Sequence, residues 1–145
     1  MKPIGYWLNR TDKALTHHMN DMLAGFGLTR IAWQVLNVIH DTPGVDGTDG
    51  TADTDIRSIL DANADPATLT EAIDAVLAGG WAARPAPGRL TLTPEGRWRL
   101  TDVAVRIDAF RELAMTGIPL DEYHTAVRVL ERMCHNLEAP TSGGR

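Results

Sequence analysis

Four groups of side chains in this 145-residue sequence have types and spacings that could do chemistry. Asp46, Asp49, Asp53 and Asp55 bring several carboxylates into one short stretch, and hard cations such as calcium are held by oxygens of this kind. The stretch lacks the Asp-x-Asp-x-Asp-Gly order and the closing glutamate of a calcium loop, so it reads as a solvated loop. His17 and His18 are adjacent, and neighbouring side chains on a helix point about 100° apart, which keeps the pair from facing one metal. His18 lies nearer an apolar stripe and reads as a polar residue at a helix interface. Cys134 stands alone, which excludes an internal disulfide and a multi-cysteine zinc site. It falls on an apolar stripe and reads as a buried structural thiol rather than a redox sensor. The fourth group is cationic: Arg84, Arg89, Arg97, Arg99, Arg106 and Arg111 form the one arginine-rich stretch of the chain, and guanidinium groups suit phosphate.

No Gly-rich phosphate loop, no His-Glu-x-x-His and no nucleophile set beside a base occurs, so neither catalysis nor a cofactor is expected. The net charge is −5. Its distribution is uneven: between residues 41 and 80 nine acidic side chains face Arg57 alone, while from 81 to 112 six arginines face four acids. With a single cysteine, a reducing cytoplasm is the default compartment. No basic start followed by an apolar run marks a signal peptide, and no segment approaches bilayer-spanning length, so no membrane partner is expected.

The elements that must position these groups follow from apolar spacing and from caps. Ile4, Leu8, Thr11, Leu15, Met19, Met22 and Phe26 recur at three- and four-residue steps and predict a first helix from Ile4 to about Gly25, with Gly25 and Gly27 at its end. Thr29 caps a second helix, with Ala32, Leu36 and Ile39 on one face and Trp33 beside them, ending before Pro43-Gly44. Thr42 to Asp53 reads as an exposed loop. A third helix buries Ile56, Ile59 and Leu60, and Asn63 suits the left-handed geometry of a tight turn. Asp65 caps a fourth helix with Pro66 in its first position, and Leu69, Ile73, Val76 and Leu77 face inward before Gly79-Gly80. Trp81–Arg84 and Arg89–Thr93 are extended runs around a Pro85-Ala86-Pro87-Gly88 tip. Thr93-Pro94 opens a fifth helix reaching about Met115, with Trp98, Val103, Ile107, Phe110 and Leu113 on one side. Pro119 leads into a last helix striped by Tyr123, Val127, Leu130, Cys134 and Leu137. Helix, turn, capped helix and ribbon between residues 54 and 93 are the order of a winged helix-turn-helix, a DNA-reading module.

That order resembles the MarR family of bacterial transcriptional regulators over nearly the whole chain. The residues that carry the likeness are Gly27-Leu28-Thr29 with Trp33-Gln34-Val35-Leu36, then Asp65-Pro66-Ala67-Thr68-Leu69-Thr70. Leu92-Thr93-Pro94-Glu95-Gly96, Leu120-Asp121-Glu122-Tyr123 and Leu130-Glu131-Arg132-Met133 complete it. The resemblance implies a mainly α fold with a short β-ribbon wing, a winged helix-turn-helix with N- and C-terminal dimerisation helices. Residues 1–145 then form a single domain in which 1–40 and 94–138 supply dimerisation and core helices, 54–93 the winged module and 139–145 a flexible tail. A homodimer is expected, because the first apolar stripe is longer than a small monomer can cover.

The resemblance further implies that double-stranded DNA is met by the exposed face of the fourth helix and by the wing. Carried over by position, the helix face is Ala67, Thr68, Thr70, Glu71, Asp74 and Ala75, with Arg57, Arg84 and Arg89 as the cations nearby. The family commonly places basic residues where Glu71 and Ala75 stand, and its wing is longer with an Asp-x-Arg motif; here Arg89 is a shifted equivalent. Fewer cations mean modest affinity and a flatter salt dependence. A small aromatic effector is a further implication, with His18, Met22, Trp33 and Trp98 as walls and anchor; the same four read equally as ordinary core. Two readings from other classes stand beside the regulator. One is a protein-interaction module that kept the fold, lost DNA reading and meets a basic partner through the acidic run; the other is a small-molecule carrier.

Overall fold

The first helix, α1, spans Ile4–Ala24 in the computed structural model, which describes residues 1–42 and 50–139. It stops because Gly27 turns left-handed at φ 76°, so that the Leu28 amide donates back to the Leu23 carbonyl at 3.0 Å. Helix α2 (Arg30–Asp41) then starts on Thr29, whose hydroxyl oxygen accepts from the Ala32 amide at 3.1 Å. Strand β1 (Thr51–Ala52) leads into helix α3 (Asp53–Leu60), and helix α4 (Pro66–Ala78) follows a short turn. Strands β2 (Ala82–Ala83) and β3 (Arg89–Leu92) make the ribbon, helix α5 covers Pro94–Ala114 and helix α6 covers Leu120–Glu138. The architecture is mainly α with a small antiparallel sheet, as expected.

That sheet has three strands in the order β1-β3-β2, with Thr51 opposite Leu90 and Ala82 opposite Leu92. β1 corrects the expected loop over Thr42 to Asp53: Thr51 and Ala52 pair with the wing, and Asp53 already belongs to α3. The Thr51 hydroxyl is buried and donates to the Thr42 carbonyl at 2.6 Å, which fastens the strand to the end of α2. Asp46 and Asp49 lie outside the described residues, as does all of the expected 139–145 tail beyond Ala139.

The chain divides into two compact units, Met1–Phe110 and the part from Arg111 onward. In the first, α2 is the hub: Val35, Leu36 and Ile39 are buried, and the helix packs against α3, α4 and β3. Ile56 and Leu60 of α3, Leu69, Ala72, Ile73 and Val76 of α4, Trp81, Leu90 and Leu92 complete the core with Val103 and Ile107 of α5. Each large apolar side chain so buried is worth about 1.5–3 kcal/mol.

Several expected faces are corrected. Ile59 is 52% exposed, because a helix of eight residues buries a narrow strip and Ile59 lies about 100° round from Leu60. Trp98 is 76% exposed: it stands nine residues before Ile107, about half a turn away on the helix period, so the two cannot share a face. The buried stripe of α5 is Gly96, Val103 and Ile107 with Leu100 half-buried beside them, and Leu113 is also exposed. Asn63 does not turn left-handed; no non-glycine described residue has positive φ. It bridges instead, with its amide donating to the Leu60 carbonyl at 2.9 Å and its side-chain nitrogen to Gln34 Oε1 at 3.3 Å.

The second unit holds the end of α5, a turn through Gly117 and the whole of α6. No residue of α6 is buried, and Leu120, Tyr123, Val127 and Leu137 of its apolar side are exposed. Cys134 is exposed with them, which corrects the expectation of a buried thiol. In the first unit the same holds for the N-terminal two thirds of α1, where Ile4, Leu8 and Leu15 are exposed and Leu23 alone is buried. No helix of the described residues is long and apolar enough to cross a membrane.

Candidate nucleic-acid interface

α4 is built to present one face outward. Its start is fixed by Asp65, whose Oδ1 accepts from the Thr68 amide at 2.7 Å, with Pro66 in the first turn where a missing amide proton is harmless. That hydrogen bond, joined by others from Thr68 and Ala67, holds the Asp65 carboxyl below the usual carboxylate range. Because the folded-state value is depressed, the stabilisation is complete above the unfolded value of about 3.9 and fades as pH falls through the folded one. Asp65→Ala is therefore expected to melt below the parent at neutral pH, with the gap closing in melts taken below about pH 4. A gap that persists unchanged in melts taken well below about pH 4 contradicts the cap.

With Leu69, Ala72, Ile73 and Val76 buried against the hub, Ala67, Thr68, Thr70, Glu71, Asp74 and Ala75 are all exposed. At about 100° per residue, Glu71 sits near the middle of that face, with Ala67 a turn before it and Ala75 a turn after. Thr70 is turned to the α3 side. Arg57 Nη2 donates to Thr70 Oγ at 2.8 Å and Arg57 Nη1 to the Pro66 carbonyl at 3.3 Å, so this arginine staples α3 to α4.

The wing arginines are engaged in the same way. Arg84 grips Asp53 at the start of α3 with both terminal nitrogens, at 3.0 and 3.1 Å, and also reaches the Arg89 carbonyl. The hydrogen bond to Asp53, with the negative charges of Asp53 and Asp74, ties the proton still more firmly to Arg84. Arg89 Nη1 donates to the Gly50 carbonyl at 3.2 Å, which closes the β1 edge. Arg99 lies over the Trp81 ring, 3.9 Å from its centroid, and donates to the Gly79 carbonyl at 3.0 Å. Of the arginines near α4 and the wing, Arg97 is exposed and has no side-chain partner among the described residues. The arginines thus assemble around the module, but most are spent on holding it together.

The sequence groups Asp53 with a solvated acidic loop and gives no sign of its pairing with Arg84, and it does not single out Arg30. Arg30 stands in the first turn of α2, exposed, and borders an open depression of about 430 Å³ against α4. Ile31, Ala72 and Ala75 give that depression apolar walls, and Thr68 and Glu71 stand on its α4 side. The signal for Arg30 is its position: a cation at the positive end of a helix is disfavoured by the helix dipole, so its presence there calls for another reason.

The proposed effector residues are dispersed. His18 is exposed and stacks on Phe110 with ring centroids 5.7 Å apart. Met22 and Trp33 are half-buried against the core, and Trp98 faces away from the buried stripe of its helix. Among the described residues no cluster of His, Cys, Asp and Glu could hold a metal ion.

No protein-family model matches the chain, and no curated protein matches it. Solved structures do. A MarR family protein of Mycobacterium tuberculosis, solved in complex with DNA, superposes with a TM-score of 0.69 at 21% identity, over 92% of this chain and 98% of its own. The reduced form of MarR from E. coli gives 0.69 at 17% identity, over 92% and 94%. CouR from Rhodococcus jostii, bound to p-coumaroyl-CoA, gives 0.67 at 21% identity, over 99% and 96%. Two of these structures are named as MarR proteins, and the fold of the chain is the winged helix that they share.

Proposed function

We propose that this chain, with its MarR-type winged-helix fold, is a cytoplasmic DNA-binding transcriptional regulator that acts as a homodimer and carries no catalysis. The observation that supports it most is the build of α4: capped by Asp65, buried on one side, and presenting a continuous exposed face from Ala67 to Ala75 beside a ribbon wing. A second copy is the natural cover for α1 and for α6, because a helix with an uncovered apolar face of several turns gains little from propensity alone. Two modules held in one dimer read two half-sites a helical turn apart, about 34–36 Å, so the operator is pseudo-palindromic.

Binding is modest in this account. Arg57, Arg84 and Arg89 are engaged within the fold, and Glu71 and Asp74 face the duplex with the wrong charge for phosphate. A small aromatic effector that loosens the complex belongs to the same proposal: the stacked His18 and Phe110 offer it one aromatic surface, and one structural neighbour is itself a complex with p-coumaroyl-CoA. A gel shift with the DNA flanking its own gene tests the reading: a salt-sensitive shift is expected, and its absence at low ionic strength sinks it. The locking of Arg84 on Asp53 favours a second reading, a module that kept the fold and docks a basic protein on its acidic α4 face. In that case a basic peptide is bound and duplex DNA is not.

A further inference from the structure

Resting on the DNA-reading function above, we propose that Glu71 is the residue that reads base identity, and that each half-site carries a cytosine opposite it. Thr70 is occupied by Arg57, and Asp74 lies where its charge acts on Arg84. Glu71 has no hydrogen bond or ion pair among the described residues, although it stands at the centre of the outward face of α4. Its helical neighbours on that face, Ala67 and Ala75, are small enough to let the helix settle close to base edges, and their methyl groups suit thymine methyls. The adjoining depression of about 430 Å³ gives a splayed group room, and Arg30 on its border, exposed and without a side-chain partner among the described residues, can take the flanking phosphate whose repulsion Glu71 must otherwise meet.

The base follows from what each one shows in the major groove. Guanine presents two acceptors, thymine an acceptor and a methyl group, and adenine an acceptor beside its amine. Cytosine alone presents a donor, its N4 amine, without an acceptor. A carboxylate therefore selects cytosine as much by rejecting the other three as by the hydrogen bond it accepts. This reverses the apparent fault of an acid on the reading helix: Glu71 weakens general affinity and sharpens sequence choice.

The experiment uses the full chain, Glu71→Gln and Glu71→Ala, each incubated with duplexes randomised over two helical turns, with the retained sequences read out. Glu71 is exposed, so matching circular dichroism melts are expected for all three proteins. The parent should favour one cytosine per half-site by roughly tenfold over other bases. Glu71→Gln should move that preference to adenine, whose N7 and N6 match an amide, and Glu71→Ala should bind without preference at that position. An alanine variant that binds and keeps the parent's base choice overturns the assignment of Glu71 while leaving DNA reading intact. Failure of all three proteins to retain any duplex at low salt overturns the DNA-reading function itself.

Discussion

Gly96→Ala should lower stability by about 3 kcal/mol and the melting temperature by roughly 10 °C, although alanine is the better helix former. At an open helical site the same change is worth up to about 1 kcal/mol in the opposite direction, through helix propensity and the unfolded chain. Gly96 is not open. A Cβ built there falls 2.0 Å from the Trp81 carbonyl oxygen and 2.8 Å from its carbon, and neither atom belongs to a flexible side chain. Relaxing the clash by withdrawing the backbone breaks a knot of contacts. The Thr93 amide donates to the Trp81 carbonyl at 3.0 Å, the Thr93 hydroxyl to the Gly80 carbonyl at 2.7 Å, and the Gly96 amide to Thr93 Oγ at 2.8 Å. Trp81, 2% exposed, is the largest side chain at the centre of this junction, and Arg99 covers its ring. Gly5 in the first turn of α1 is the matched control, since a Cβ there meets nothing within 4 Å. Thermal melts should move in opposite directions for Gly96→Ala and Gly5→Ala; equal shifts contradict the tight junction.

On the proposed homodimer, Leu15→Glu should leave a monomer at micromolar concentration, with about a 100-fold or greater rise in the dimer dissociation constant. Leu15 is 42% exposed in the single chain and lies outside the core cluster, so the winged module should fold and melt as before. In a two-fold dimer each substitution counts twice. Losing about 1.5–3 kcal/mol of apolar burial per copy already exceeds the tenfold step of 1.4 kcal/mol, before the cost of burying a carboxylate is added. DNA affinity should fall with it, because each half-site is then met by an independent module. Sedimentation with circular dichroism separates the outcomes: a folded monomer is expected, and an unchanged dimer means that α1 is not the interface.

What was legible in the sequence was local. Thr29, Asp65-Pro66 and Thr93-Pro94 each announce a helix through a hydrogen bond or a fixed φ that acts within three residues, and all three start helices where expected. The winged order between α3 and β3 rests on the same short-range signals. Long-range pairing was not legible. β1 has two residues, too few for an alternating pattern, and exists because Thr51 and Ala52 meet Leu90 and Arg89 of β3. Arg84 finds Asp53 across 31 residues and Arg89 finds Gly50 across 39, so side chains that read as free cations are structural staples. The face of α5 turns on angle rather than on composition: Trp98 to Val103 is a five-residue step, about 140° round the helix, and leaves the tryptophan outside. The exposed stripes of α1 and α6 are visible in the sequence as apolar repeats, and a second copy is proposed to cover them.

The most direct test of a winged module that reads DNA with few free cations is an anisotropy titration of a duplex from beside its own gene across a range of salt. Saturable binding at low salt is predicted, with log K falling against log salt by about 0.9 for each phosphate contact, and therefore on a shallow line. Absence of salt-sensitive binding at every ionic strength would contradict the account.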